Sequence, residues 1–172
     1  MPLTDVTADD LAVLAEQLGR TPRGVVAIGA RCVCGRPLVA VTAPRLDDGT
    51  PFPTTFYLTH PGVVAAMSTL EARGVMRELN DRLAEDEELA AGHTRAHDDY
   101  LARRAEVAAR AGTGEVPEIA GISAGGLPTR VKCLHALAGH ALVAGPGVDV
   151  VGDLALQQAA DEGLWSADRC TC

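Results

Sequence analysis

Cysteine and histidine are the residues of this sequence best suited to metal chemistry, because thiolate sulfur and imidazole nitrogen are preferred zinc ligands. The chain has five of each. Cys32 and Cys34 are separated by one residue and followed by Gly35, so both thiols are expected at one tight turn. This arrangement resembles half of a zinc knuckle, although two intervening residues are more usual. The pair would supply two of the four ligands of a tetrahedral site.

Two further residues complete a candidate ligand set. His60 follows the third predicted strand, and in an antiparallel meander that strand ends at the same edge as the first hairpin turn. Cys133, near the beginning of an apolar helix, is our candidate for the remaining position. We predict that a zinc ion is bound by Cys32, Cys34, His60 and Cys133. The alternative is that Cys32 and Cys133 are small buried core residues, as free cysteines often are.

The remaining cysteines and two of the histidines favour structural interpretations. Cys170 and Cys172 lie at the end of the sequence, where a solvent-exposed tail is the simplest expectation. His93 and His97 are spaced to share one helix face, but their charged neighbours favour a solvated surface over a metal site.

The stretch from Ser123 to His135 has the features of an anion site. Its glycine pair would let backbone amides approach a ligand, and Pro128 and Thr129 are typical of a helix start, whose free N–H groups attract anions. We predict that an anionic small molecule or an acidic protein partner binds Gly125, Gly126, Arg130, Lys132 and His135. The alternative is an ordinary capped helix with basic residues in its first turn.

Catalysis is the alternative to a binding function. Cys133 at a helix start, beside Lys132, would have a lowered thiol pKa. On a regular helix His135 faces away from Cys133, so the two act together only if the helix begins after Cys133. This hypothesis describes a small enzyme that acts on a phosphorylated substrate through Cys133, His135, Lys132 and Arg130. A thiolate closed into a four-ligand metal site is a poor nucleophile, so the sequence favours a metal-binding adaptor or binding protein.

The elements that must position these side chains follow from hydrophobic spacing. We predict an α+β fold in which a small three-stranded antiparallel sheet, with strands at 24–32, 36–43 and 52–59, packs with about five helices. Helices are predicted at 7–18, with Thr7 as N-cap, at 129–144 and at 153–162. The single predicted domain, 1–172, comprises an N-terminal helix (1–20), an antiparallel meander (21–60), a helical segment (61–111), a Gly/Pro loop (112–128), C-terminal helices (129–162) and a tail (163–172).

Composition excludes several classes of protein. A net charge of −8, with one tryptophan, two tyrosines and two phenylalanines, argues against binding nucleic acid. Hydrophobic residues make up 47% of the 172 positions, which suits one packed core. The sequence begins without the basic and apolar regions of a signal peptide and has no apolar run of membrane-spanning length. We therefore predict a cytoplasmic protein that binds neither membranes nor nucleic acid.

Longer strings of the sequence point to a known family. They are Arg31-Cys32 with Gly35-x-Pro37, Asp48-Gly49-Thr50-Pro51-Phe52-Pro53-Thr54, Tyr57-Leu58-Thr59-His60-Pro61, Gly125-Gly126-Leu127-Pro128-x-Arg130-Val131-Lys132-Cys133-Leu134-His135, and Gly145-Pro146-Gly147-Val148 with Gly152-Asp153. In these strings the chain resembles the actinobacterial family known as domain of unknown function 501.

The resemblance implies no established reaction. Relatives often carry cysteine where this chain has His60, and a cysteine-to-histidine exchange preserves zinc-ligand chemistry, so the resemblance supports His60 as a ligand. Cys34 is not a uniform feature of the family. The genes of relatives commonly lie beside those of a septum-formation initiator and an exopolyphosphatase-like phosphatase, which implies a link to cell division or polyphosphate metabolism.

Overall fold

A three-stranded antiparallel sheet and six α-helices make up the residues that the computed structural model describes, 3–172. The elements are α1 (Ala8–Leu18), β1 (Val25–Arg31), β2 (Pro37–Thr42), β3 (Phe56–Leu58), α2 (Pro61–Ala72), α3 (Val75–Glu85), α4 (Glu87–Ala111), a 3-10 turn (Pro117–Ile119), α5 (Leu134–Ala144) and α6 (Val150–Asp161). The predicted α+β class and the three-stranded antiparallel sheet are confirmed, with six helices among these residues instead of about five.

The sheet is covered on both faces. Its strand order is β1-β2-β3, and all six residues of the central strand β2 are buried. Leu14 of α1 packs on one face against Ile28 and Ala40. The other face contributes Val39 and Val41 to the main core, which the remaining helices complete. Because β2 is buried on both sides, its sequence is apolar from Pro37 to Val41 and does not alternate.

β3 is shorter than the predicted strand at 52–59. Pro53 has no N–H to donate to a ladder, and its carbonyl oxygen accepts a hydrogen bond of 2.9 Å from the Tyr100 hydroxyl of α4. The N–H of Thr55 donates to the same hydroxyl oxygen at 2.7 Å. These bonds hold the chain before Phe56 against α4, so the strand begins only at that residue.

Helix α1 is fixed to the sheet by a buried carboxylate. Thr7 is its N-cap, as predicted, and the side chain of Asp10 accepts from the Thr7 N–H at 3.0 Å to complete a capping box. Arg31, at the end of β1, donates to both Asp10 oxygens, at 2.6 and 3.0 Å. The Arg31 guanidinium holds the pKa of Asp10 well below its usual range, against the opposing effect of burial.

Replacement of Asp10 by asparagine is expected to lower the free energy of unfolding by about 2 kcal/mol at pH 7, because a charge-assisted pair and part of a cap are lost. The lowered pKa in the folded state makes this stabilisation complete above the ordinary carboxyl pKa of 3.8 and removes it as pH falls further. Urea denaturation from pH 7 to pH 3 should show a constant difference between the two proteins down to about pH 4 and a smaller difference below it. Asp9→Asn, an exposed neighbour on the same turn, is the control and should cost little at any pH.

The chain before α5 folds as a loop, so this helix begins at Leu134 and not at 129. The side chain of Asn80 accepts from the Val131 N–H and donates to the Val131 carbonyl, each at 2.9 Å. The N–H of Lys132 donates to the carbonyl of Gly125 at 2.7 Å. These backbone groups are already satisfied, so the segment has no need of helical hydrogen bonds.

Helix α5 lies at the centre of the molecule and packs closely against β3 and α6. A Cβ atom on Gly139 would lie 2.7 Å from the carbonyl oxygen of Phe56, and one on Gly152 would lie 2.3 Å from the carbonyl oxygen of Leu137. Glycine is therefore needed at both contacts. Helix α6 begins at Val150, before the predicted residue 153, because Asp149 caps it by accepting from the Gly152 N–H at 2.9 Å.

Helices α2 to α4 form the rest of the helical layer. His93 of α4 is fully buried, with its Nε2 3.2 Å from the carbonyl oxygen of Arg130, so the predicted solvated face is wrong at this residue. His97 is half-buried and its Nδ1 lies 2.9 Å from the Ser123 hydroxyl. No helix within residues 3–172 has both the length and the apolar character needed to cross a membrane.

Candidate metal centre

Four cysteines from distant parts of the chain meet at one edge of the sheet. The Sγ atoms of Cys32, Cys34, Cys170 and Cys172 all lie within 4.8 Å of one another, and those of Cys34 and Cys172 are 3.2 Å apart. All five cysteines are free thiols. Four soft sulfur atoms at this separation form a cluster that could hold a metal ion.

The first two cysteines are presented by the turn between β1 and β2. The N–H of Cys32 donates to the Arg36 carbonyl at 2.9 Å, and the N–H of Gly35 donates back to the Cys32 carbonyl at 2.8 Å. Gly35 has a φ of +90°, which lets the chain reverse just after Cys34. Cys32 is buried and Cys34 is exposed, so the turn directs one thiol inward and the other toward solvent.

The last two cysteines of the cluster lie on the C-terminal tail. After α6, the side chain of Trp165 is buried, and the backbone N–H of Trp165 donates to the Ala159 carbonyl at 3.2 Å. The tail then crosses the first turn of α2, where a Cβ atom on Gly62 would lie 2.4 Å from the Thr171 hydroxyl oxygen. Cys170 and Cys172 are exposed, as expected of a tail, but they converge on the hairpin turn.

His60 lies at the cluster, and its hydrogen bonds define its tautomer. It is the N-cap of α2, and its Nδ1 accepts from the Gly62 N–H at 3.1 Å. An accepting Nδ1 carries no proton, so the neutral ring is protonated at Nε2, which lies 3.0 Å from the Cys172 sulfur. Burial lowers the pKa of His60 and favours this neutral form. His60 therefore lies beside the cluster as an N–H donor to the Cys172 sulfur. The sequence predicts a different role, in which His60 itself binds the metal ion.

The thiols of the cluster differ in their acidity. The backbone N–H of Arg36 and the adjacent Cys172 sulfur lower the pKa of Cys34 to about 6. The Cys34 sulfur is therefore ionised near neutral pH in the metal-free protein. A metal ion binds thiolate and not thiol, so this ligand is already prepared for coordination.

Cys133 lies away from this cluster, in a second group with Glu71 and His135. One ligand atom from each of the three lies within 4.8 Å of the others. The separation from Cys32 follows from the fold, because Cys133 is the N-cap of α5 and lies against Glu71 near the end of α2, whereas the four cysteines meet at the beginning of that helix. The predicted set of four ligands is therefore divided between two places.

Because α5 begins only after Cys133, the side chains of Cys133 and His135 lie close together. This is the condition under which the sequence predicts that the two residues act together. The Cys133 Sγ is 4.0 Å from His135 Nδ1, which lies 3.1 Å from Glu71 Oε1. The neighbouring thiol and Glu71 raise the pKa of His135 to about 9 in the metal-free protein, and His135 lowers the pKa of Cys133. Glu71 also accepts from the Leu134 N–H at 2.7 Å.

The residues of the predicted anion site are only partly brought together. Gly125 and Gly126 make room for the loop itself, since a Cβ on Gly126 would lie 2.4 Å from the Arg130 carbonyl oxygen. The N-terminus of α5 already faces the Glu71 carboxylate. Arg130 and Lys132 are exposed in the preceding turn, so an anionic partner at these two side chains stays a prediction.

Three residues of the two groups are not predicted from the sequence as candidate metal ligands. A signal for Cys170 and Cys172 was available, because they repeat the Cys-x-Cys spacing of Cys32 and Cys34. Glu71 carries no such signal, since it is one of many acidic residues on helical segments. Its proximity to His135 arises only from the packing of α2 against α5.

The fold and the cluster define a small α+β protein with a four-cysteine group suited to a metal ion. Over residues 28–157 the sequence matches the family described as a protein of unknown function, DUF501, and the chain belongs to this family. Cys32, Cys34, Glu71, Cys133 and His135 lie inside the matched region, and Cys170 and Cys172 lie beyond it. Comparison with curated proteins and with solved structures gives no match.

Proposed function

We propose that this protein is a zinc-stabilised adaptor or binding protein, in which one zinc ion is bound by Cys32, Cys34, Cys170 and Cys172. The observation that carries the proposal is the convergence of these four Sγ atoms within 4.8 Å. In a regular tetrahedron with Zn–S distances of about 2.3 Å, the sulfur atoms are about 3.8 Å apart. Only small side-chain adjustments would be needed to bind the ion.

The surroundings favour zinc with four thiolates. Four thiolates and one divalent ion carry a net negative charge. N–H groups that donate hydrogen bonds to the sulfur atoms stabilise this charge. His60 supplies such a donor to Cys172, and the backbone N–H of Arg36 faces the Cys34 sulfur. Sulfur ligands without oxygen exclude magnesium and calcium, which require oxygen.

The proposed ion is structural. Four protein ligands fill a tetrahedral zinc site and leave no position for a water or substrate, so the metal would stabilise the fold without activating a reactant. It would join the C-terminal tail to the β1–β2 turn and thereby fix a surface that the sheet alone does not provide. A binding function follows more directly from this arrangement than catalysis at the metal.

The proposal includes a cytoplasmic location and an anionic partner. Metal-ligating thiols persist in a reducing compartment, and all five cysteines are free. The exposed Arg130 and Lys132 are available to an acidic protein or a phosphate-bearing molecule. A link to cell division or polyphosphate metabolism belongs to the same proposal and rests on the gene neighbourhood of the family.

Cobalt substitution tests the four-thiolate site. We expect the Co²⁺-loaded protein to show the intense sulfur-to-metal charge-transfer absorption of a tetrahedral four-thiolate site, because each thiolate contributes to that band. Cys170→Ser/Cys172→Ser, which removes two exposed thiols and no core residue, should lose most of this absorption and about one equivalent of zinc.

Cys133→Ser is the matched control, since it replaces a half-buried cysteine outside the cluster and should leave the four-thiolate absorption in place. Retention of the full absorption by the double variant would contradict the proposal, as would Cys34 and Cys172 found joined in a disulfide in protein purified with reductant present.

A further inference from the structure

The group of Glu71, Cys133 and His135 is chemically distinct from the four-cysteine cluster. It offers one carboxylate oxygen, one thiol sulfur and one imidazole nitrogen, all within 4.8 Å of one another and contributed by α2 and the beginning of α5. Each is a recognised zinc-ligand type. The site proposed above neither uses nor requires these three residues.

The hydrogen bonds of His135 leave one nitrogen for a cation. Its Nε2 lies 3.2 Å from the carbonyl oxygen of Val64, which can only accept, so Nε2 carries a proton. The Ser68 hydroxyl lies 3.1 Å from the same nitrogen. In the neutral ring Nδ1 therefore has a lone pair that faces Glu71 Oε1 at 3.1 Å. Two acceptors at this distance repel each other unless a proton or a metal ion lies between them.

In the metal-free protein a proton lies between Nδ1 and Oε1, and the third member of the group supplies a further ligand for a metal ion that displaces this proton. The Cys133 Sγ is 4.0 Å from His135 Nδ1. As the N-cap of α5, Cys133 stands where the helix dipole stabilises a thiolate. Nitrogen, oxygen and sulfur atoms at these separations can occupy three of the four positions around a tetrahedral zinc ion.

The surrounding bonds hold the three ligands in place. A metal-bound histidine commonly donates its other N–H to a backbone carbonyl, as His135 does to Val64. Glu71 is oriented by the N–H of Leu134, which donates to Oε1 at 2.7 Å. A carboxylate oxygen has a second lone pair, so this bond does not prevent coordination.

We propose that Glu71, Cys133 and His135 bind a second divalent ion of the zinc class, with the fourth position open to water or a small anion. Three protein ligands with an open position are the pattern of zinc sites that bind or activate a ligand, in contrast to the closed four-thiolate site. The exposed Arg130 and Lys132 in the preceding turn supply positive charge that favours an anionic ligand.

Metal counting tests the second site independently of the first. Wild-type protein loaded with zinc and freed of excess metal should contain about two equivalents, and Cys170→Ser/Cys172→Ser should retain about one. Adding Cys133→Ser to the double variant should remove the remaining equivalent. Glu71→Gln, which can still accept from the Leu134 N–H, should weaken zinc binding at least tenfold in the same background. The circular-dichroism spectrum of each variant establishes that it is folded.

Azide added to the Co²⁺-loaded Cys170→Ser/Cys172→Ser variant tests the open position. It should shift the visible spectrum, because the ion can accept an exogenous ligand; the same addition to Cys133→Ser, which keeps only the closed site, should have no effect. A folded double variant that binds no zinc would overturn the second site whatever the result at the first. A spectrum unchanged by azide in the loaded double variant would overturn the open position.

Discussion

Replacement of Cys32 by serine should remove zinc from the four-cysteine cluster and abolish the dependence of stability on this ion. Cys32 is buried in the main core at 6% exposure, whereas the other three ligands of the proposed site are exposed. An ion that binds only the folded state adds about 4 kcal/mol to the free energy of unfolding when its free concentration is about 1,000 times its Kd. That contribution disappears when a core ligand is lost.

The measurement is urea denaturation of wild type and Cys32→Ser, each with buffered free zinc and with chelator. Chelator should lower the stability of the wild type by several kcal/mol, about 4 of which belong to the cluster under the condition above, and should lower that of the variant only by the contribution of the second zinc site. Cys133→Ser serves as the control, because it removes a thiol outside the cluster and should keep most of the chelator response. Equal responses in wild type and Cys32→Ser would exclude Cys32 as a ligand.

Local signals in the sequence were sufficient to predict the sheet and the first helix. The apolar strands and the glycine at the hairpin turn predict the meander, and the Thr7 cap predicts the beginning of α1. These features depend on residues close together in the chain. The same reasoning locates Cys32 and Cys34 at one turn, where the structure also has them.

The sites themselves depend on contacts between distant segments, which spacing cannot reveal. The tail that carries Cys170 and Cys172 reaches a turn more than a hundred residues earlier, and Cys172 lies 3.2 Å from Cys34 across a separation of 138 positions. Asn80 holds Val131 from another helix and thereby delays the beginning of α5. This contact cannot be recognised from the sequence. The sequence therefore predicts an earlier start of α5 and a different environment for Cys133.

The buried His140 is another feature that only tertiary structure reveals. Its ring is completely buried in α5, stacked on Phe56 with centroids 5.4 Å apart. Nδ1 lies 3.0 Å from an oxygen of the fully buried Asp149, and Nε2 lies 3.0 Å from an oxygen of the partly exposed Asp99. The histidine thus joins the beginning of α6 to the middle of α4. Its main effect is on stability, since no open position adjoins it.

Replacement of His140 by phenylalanine should lower the free energy of unfolding by about 3–5 kcal/mol, because it leaves Oδ2 of the buried Asp149 carboxylate without its side-chain hydrogen-bond partner. The aromatic ring is kept, so stacking on Phe56 changes little and the loss reports mainly on the two hydrogen bonds. His97→Phe is the matched control: the half-buried His97 ring forms a hydrogen bond with the Ser123 hydroxyl, and its replacement should cost about 1 kcal/mol.

A second substitution separates the buried charge from a simple packing defect. Asp149→Asn removes the carboxylate charge, and its side-chain oxygen can still accept from the Gly152 N–H that begins α6. If the cost of His140→Phe comes from an uncompensated charge, Asp149→Asn should restore more than about 1 kcal/mol when added to that variant, although it is expected to destabilise the wild type. Thermal or urea denaturation of the four proteins gives the coupling energy. Additive losses in the double variant would show that the larger phenylalanine ring, and not the unpaired carboxylate, accounts for the effect.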